Sequence, residues 1–176
     1  AFLQKTAQEA GADLIATAHT ANDNVETILF HLARGAGLRG LGGIPPRREN
    51  IIRPMLTVTR RQVEDYLFRH CLPHMEDSSN AGDEYTRNRI RHQVLPVLED
   101  ISPGFAVRLA DTAALLRADE ACLTAQARAL ADRAVPEGDG LAIDRAVIAG
   151  APDPVASRCL RLLLGRLWGG DQNCGA

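Results

Sequence analysis

The run His19-Thr20-Ala21-Asn22-Asp23-Asn24-Val25-Glu26-Thr27 gathers an imidazole, carboxylates, carboxamides and hydroxyls into one short stretch. Such groups can hold a cation, orient a phosphate or move a proton. On a helix starting near Ala21, a step of about 100° per residue puts Val25, Ile28, Leu29 and Leu32 on one face. Asp23, Thr27 and Arg34 fall near the opposite face, flanked by Asn22 and Glu26. His19 stands where a strand ends and this helix begins. Carboxyl ends of strands line the ligand crevice of open α/β sheets, and a helix N-terminus there favours anions. These residues fit a nucleotide site: His19 to the phosphates, Asp23 to a magnesium ion or a proton, Arg34 to developing negative charge. They also fit a capped surface helix whose acids complement its dipole. Phe30 falls on the polar face, which implies that something packs there.

Two further stretches carry chemistry. Between residues 34 and 61 lie Arg34, Arg39, Arg47, Arg48, Arg53, Arg60 and Arg61 against Glu49 alone, a local charge of +6. Glycines and prolines hold much of this run in a loop, where guanidinium and backbone donors can meet phosphates. A solvated loop is the alternative. Downstream come Glu76-Asp77-Ser78-Ser79-Asn80, suited to an Asx turn, and Thr86-Arg87-Asn88-Arg89-Ile90-Arg91-His92. Arg87 and Arg91 share a helix face and can fork onto phosphates, or pair with Asp83 or Glu84. His31, His70, His74 and His92 show no ligand spacing.

The elements that must position these groups follow from the pattern. Residues 1–10 predict a helix tail stopped by Gly11, and 13–18 a short buried strand. Thr20 and Asp23 predict a capping box for a helix over 21–34. Residues 35–48 read as a loop, and Ile51-Ile52 as a strand stopped by Pro54. A helix over 59–70 starts at Thr59, with Val63, Tyr66 and Leu67 as its apolar stripe. Another spans 85–98, with Ile90, Val94, Val97 and Leu98 inward. Ser102-Pro103 reads as the N-cap and first position of a long helix. There Leu109, Leu116, Leu123 and Leu130 recur in steps of seven beside Ala106, Ala113 and Ala127. The heptads permit a homodimer without requiring one; docking on the chain's own helices is the simpler expectation. Residues 135–140 read as a turn, 141–143 as a strand and 154–168 as a last amphipathic helix.

Composition limits the classes. The 176 residues are 45% hydrophobic and 24% charged, a folded rather than disordered balance. A net charge of −2 excludes a uniformly basic nucleic-acid coat but not a local basic surface. Mean hydropathy is −0.13, and no apolar run approaches the roughly 20 residues of a membrane span. Cys71, Cys122, Cys159 and Cys174 form no Cys-x-x-Cys pair, so neither a zinc cage nor a redox motif is readable. The expected location is cytoplasmic. Aromatics at 4% argue against a base-stacking sheet.

Together the motifs resemble one family, the tRNA(Ile)-lysidine synthetases, which are PP-loop ATP-dependent enzymes. The matching pieces are H-T-A-N-D-N-V-E-T at 19–27, R-G-A-G-L-R-G-L at 34–41, I-P-P-R at 44–47, I-I-R-P at 51–54, E-D-S-S-N at 76–80 and T-R-N-R-I-R-H at 86–92, in the family's order. The resemblance is strong over residues 13–98; the remainder carries little signature.

It implies a partial PP-loop parallel-sheet α/β domain over 1–98, followed by a mainly α-helical domain over 99–176. The implied reaction uses ATP and Mg2+ to adenylate the C2 oxygen of a cytidine in the CAU anticodon of tRNA(Ile). Free lysine then displaces AMP. By the same carry-over His19, Asp23 and Arg34 are catalytic, with Asp23 also the metal ligand. Asn22, Glu26 and Thr27 bind the nucleotide, and Arg53, Arg87, Asn88 and Arg91 contact tRNA or nucleotide.

Two departures stand out. Asn24 occupies a position where the family usually has Gln. No Ser-Gly-Gly-x-Asp-Ser phosphate loop occurs in the sequence; in the family it precedes the present Ala1, so the chain reads as a fragment expected to be inactive alone. Other classes that fit are a different PP-loop RNA-modifying enzyme, such as a tRNA thiolation enzyme, and a non-catalytic helical RNA- or protein-binding module.

Overall fold

The computed structural model describes residues 2–74 and 83–168, with the side chains of 83–85 left aside. The 76–80 run, Cys174 and the tail from Gly169 lie outside the described residues. The chain divides into two compact units, Ala1–Leu116 and Arg117–Ala176.

The first unit opens with α1 (Phe2–Glu9). Gly11, at φ +63°, closes it: the Ala12 N–H reaches the Ala7 carbonyl and the Gly11 N–H that of Gln8. This is a Schellman stop, which needs the left-handed conformation at that position. Strand β1 (Ile15–Ala16) pairs in parallel with β3 (Ile51–Ile52), and β2 (Arg47–Arg48) pairs antiparallel with β3, giving the order β1-β3-β2. The parallel pair β1–β3 matches the expected parallel sheet, and β2 adds an antiparallel edge that makes the sheet mixed. Arg47 and Arg48, read from sequence as loop, form its exposed edge; charge on an edge strand discourages further pairing.

A parallel pair requires a crossover, and α2 (Ala21–Ala33) supplies it between β1 and β3. Its capping box forms as expected, with both reciprocal bonds of Thr20 and Asp23 present. The helix is buried on more than one face: Asn24, Val25, Glu26, Ile28 and Phe30 are all covered. Leu32, placed inward by periodicity, is 56% exposed because the chain turns away at Gly35. A short helix, α3 (Leu38–Leu41), punctuates the loop that follows. Helix α4 (Arg60–Arg69) carries a second capping box, Thr59 with Gln62. Its expected stripe is only half-covered at Val63 and Leu67, and Tyr66 is exposed.

The helix expected over 85–98 is interrupted. It comprises α5 (Asp83–Arg89), a π-helical segment (Ile90–Val94) and α6 (Leu95–Ile101). A π turn inserts one residue into the helical repeat. The buried positions become Ile90 and Leu95, five apart, while Val94 and Val97 face outward at 42% and 56% exposure. Leu95 packs with Val25 of α2 and with Ala106, flanked by Leu29, Phe105 and Leu109.

The long helix α7 runs Phe105–Ala131. Ser102 is not its N-cap, because Gly104, at φ +80°, intervenes and Ser102 closes α6 instead. The Glu99 carboxylate caps α7, accepting from the N–H groups of Gly104, Phe105 and Ala106 at 2.8, 3.2 and 2.8 Å. The seam also differs from a leucine zipper. Ala106, Ala113, Ala127 and Ala131 are the buried residues, and the heptad leucines flank them half-covered.

In the second unit Ala127 and Ala131 meet Val155, Cys159 and Leu163 of α9 (Asp153–Trp168). Residues 135–142 form a hairpin of β4 (Val135–Glu137) and β5 (Gly140–Ala142), where sequence gave a turn and one strand. Helix α8 (Arg145–Ala149), started by the Asp144 side chain on the Ala146 N–H, has no counterpart in the sequence reading. Arg158 pairs with the half-buried Glu120. Burial pushes the Cys159 thiol up, with Arg166 partly opposing, as fits an inert core thiol. No helix among the described residues is long and apolar enough to cross a membrane.

Candidate functional site

Helices α2 and α4 both follow strands that run parallel, so both N-termini emerge at the same edge of the sheet. The two ends are tied together. Asn22 Oδ1 accepts from the Arg60 N–H at 2.8 Å, and the Ala21 N–H donates to the Val58 carbonyl at 2.9 Å. Between them lies a cleft of about 200 Å³ lined by Thr20, Asn22, Asp23, Glu26, Arg60, Val63 and Arg91.

Three charged groups of the cleft form one network, while the Arg60 guanidinium pairs with Glu64 at 2.9 Å. Glu26, 3% exposed, receives both Arg91 Nε at 2.6 Å and Arg91 Nη2 at 2.8 Å. Two parallel bonds of this kind are the strongest arginine–carboxylate arrangement. Asp23 Oδ1 stands 3.6 Å from Arg91 Nη2, while Oδ2 accepts from the Thr20 N–H at 2.7 Å and its hydroxyl at 2.8 Å. The hydrogen bond to Glu26 raises the Arg91 pKa, burial opposes, and the charges of Glu26 and Asp23 raise it further. The trio carries a net −1, set against two helix N-termini that favour anions.

The remaining sequence candidates lie around this core. His19 Nδ1 shares a hydrogen bond with Thr17 Oγ1 at 3.0 Å, just past β1. Thr27 donates to the Asp23 carbonyl at 2.8 Å. Arg53 Nη1 holds the Pro45 carbonyl at 2.8 Å, and its buried Nε lacks a partner among the described residues. Arg34 and Arg87 stand over Phe30, and Asn88, next to Arg87 in sequence, is half-buried. The cleft thus unites Asn22, Asp23, Glu26 and Arg91; His19, Thr27, Arg34, Arg53, Arg87 and Asn88 are not among its lining residues.

Several residues escaped the sequence reading. Thr20, Arg60 and Val63 line the cleft, and the matched capping boxes at Thr20 and Thr59 were the available signal. Asn24, 2% exposed, accepts the Ile44 N–H at 2.7 Å and so pins the glycine-rich loop beneath the site.

A family profile for the PP-loop domain matches residues 1–98. The chain belongs to the PP-loop family. The match covers every cleft residue of this PP-loop domain. Curated relatives include the tRNA(Ile)-lysidine synthases of Solibacter usitatus (strain Ellin6076), 38% identical over 82% of the chain and 33% of the relative; of Parabacteroides distasonis (strain ATCC 8503 and equivalents), 36% over 92% and 37%; and of Thermobifida fusca (strain YX), 40% over 92% and 49%. The chain spans a third to a half of the length of these three relatives.

Proposed function

We propose that this chain is part of an ATP-dependent ligase that joins lysine to C2 of a cytidine in the CAU anticodon of tRNA(Ile). Residues 1–98 supply part of the nucleotide-binding domain, and 99–176 a helical domain. The observation that carries this reading is convergence: Asn22, Asp23 and Glu26 meet Arg91, 65 residues beyond Glu26, around one cleft at the strand ends. The similarity to lysidine synthases supports the choice of substrate.

The chemistry asks for distinct groups. The cytidine C2 oxygen attacks the α-phosphate of ATP and pyrophosphate leaves. The lysine ε-amine then attacks C2, AMP departs, and the amine loses a proton. Asp23 is suited to accept that proton, because Thr20 anchors one oxygen and leaves the other at the cleft. Magnesium, when bound, neutralises charge on the phosphates. Among the described residues no three acidic, histidine or cysteine side chains cluster as ligands. Magnesium nonetheless binds through one or two carboxylates plus substrate phosphates, so Asp23 Oδ1, 3.6 Å from Arg91 Nη2, would serve either as a single protein ligand or as the proton acceptor, not as both at once. In this scheme His19, at the N-terminal end of α2, is assigned to the phosphates, and Glu26 and Thr27 to the nucleotide.

The test restores a Ser-Gly-Gly-x-Asp-Ser segment from the upstream reading frame. That protein, given ATP, lysine and a CAU-anticodon tRNA, gains a lysine-sized mass on one cytidine. The 176-residue chain alone gives none. No gain by the restored protein overturns the proposal.

A further inference from the structure

We propose that Pro96 is a positioning residue: it opens the helix before it into a π turn, and that turn aims Arg91 at Glu26 in the cleft. The inference adds to the proposed active cleft a residue that touches none of its groups, and its functional arm rests on the substrate reading above. Pro96 is exposed, so its influence runs through the backbone rather than through packing of its ring. It stands directly after the π-helical segment, as the second residue of α6. In an uninterrupted α-helix its ring would press on the carbonyl four residues back, that of His92, and offer it no N–H. A widened turn relieves the clash. The Leu95 N–H accordingly reaches back five residues, to the Ile90 carbonyl.

Register ties this turn to the cleft. Ile90 and Leu95 are both core residues, 7% and 6% exposed. At about 100° per residue, an α-helix would set these two positions roughly 140° apart, and one of them would leave the core. The α6 half is the better anchored. Leu95 packs beside Val25 and Ala106, and the Glu99 carboxylate accepts three N–H groups at the start of α7. On the α5 side, Thr86 to Arg89 are exposed or half-buried. With Leu95 held, a plain α-helix would bring Arg91 to the place one turn before it, where Ile90 now sits. The guanidinium would turn toward the apolar core. Glu26, 3% exposed, would lose the bonds from Arg91 Nε at 2.6 Å and Nη2 at 2.8 Å. The inserted residue keeps Ile90 in the core and leaves Arg91 beside it, lining the cleft. Pro96 thus decides which residue meets Glu26 without approaching it.

The test is a register swap in the isotope-labelled 176-residue chain. The Arg91 Nε–H resonance, assigned by its loss in Arg91→Lys, reports the grip on Glu26 through its exchange with water. Pro96→Ala restores an N–H at position 96 and is expected to speed that exchange by roughly tenfold or more, as losing a charge-assisted bond entails. Deleting the exposed Gln93 from Pro96→Ala brings Ile90 and Leu95 to α-helical spacing; it is expected to return exchange to the wild-type rate. A proline that served only local stability would not be rescued by removing a residue. If Pro96→Ala does not unfold cooperatively, the deletion variant decides: recovery of fold and resonance supports the register argument, and no recovery overturns it. Wild-type exchange in Pro96→Ala overturns the proposal, since packing alone would then hold the turn, as does faster exchange that the deletion leaves unrestored. In the protein with its upstream segment restored, Pro96→Ala lowers lysine transfer as much as Arg91→Met, and the deletion brings it back. A restored wild type that transfers no lysine overturns the substrate reading, while the exchange rates still decide the role of Pro96.

Discussion

Arg91→Met is the sharpest probe of the cleft. The Glu26 side chain is 4% exposed and that of Arg91 34%. Removing the guanidinium leaves a carboxylate shut away from water with its two strongest donors gone. Breaking a fully buried ion pair costs about 3–5 kcal/mol. Water reaches the Arg91 side of this pair, so the expected loss is about 2–3 kcal/mol. For a cooperative unit of this size, that lowers Tm by roughly 8–12 °C.

The pH dependence follows from the direction of the Arg91 shift. A base whose pKa is raised by folding contributes stability throughout the range below its ordinary value and loses it only as pH climbs through the folded value. The wild-type pair therefore adds no slope from Arg91 between about pH 5 and 9. The double variant Glu26→Gln/Arg91→Met recovers at least half the loss, because a neutral amide is cheaper to bury than an unpaired charge. Urea unfolding followed by circular dichroism measures all three. A loss below about 0.5 kcal/mol for Arg91→Met is the behaviour of a surface pair, and would refute the argument that this contact is a buried clamp.

Other outcomes follow from backbone and capping geometry. Cys71 adopts φ +52° at the Schellman stop of α4, where its N–H reaches the Phe68 carbonyl; Cys71→Gly is expected to stabilise by about 1 kcal/mol in urea unfolding. Gly43 sits at φ +65°, and a Cβ there would lie 2.2 Å from Asn24 Oδ1 and 2.8 Å from Ile28 Cγ1. Gly43→Ala should therefore cost about 2 kcal/mol or more and speed amide exchange at Ile44, which Asn24 holds. Glu99→Ala should cost about 1–2 kcal/mol by uncapping α7, whereas Ser102→Ala stays within about 0.5 kcal/mol. Equal losses at the two positions would restore Ser102 as the cap.

Local chemistry was the legible part. Thr20-Asp23 and Thr59-Gln62 announce two helix starts, and Gly11 announces a stop, because each signal is complete within a few residues. Val25 and Ile28 were readable as core from period alone. The π turn was overlooked although a residue marks it: Pro96 brings no N–H to the carbonyl four residues back and stands directly after Ile90–Val94, and the turn moved Val94 and Val97 outward. Glu99 caps a helix that begins six residues later, across a glycine turn whose geometry no short window reveals. At the site, the polar residues of the first motif were visible by type. Their partners were not: Glu26 is buried against Arg91, 65 residues away, and the cover over Phe30 that its place on the polar face implied comes from Arg34 and from Arg87 of α5.

The bond from the Arg60 N–H to Asn22 has a consequence for the tolerance of the whole cleft. Each strand beneath it is two residues long, so the sheet supplies few rungs to fix the separation of what rises from it. The gap between α2 and α4 is gauged instead by one short side chain, clamped between two helix ends beside the Ala21–Val58 backbone bond. A residue chosen to touch substrate would be free to vary with substrate. A residue that sets the width of the opening answers to the architecture on both sides of it, and lengthening it by a single methylene would re-machine the site without touching any reacting group.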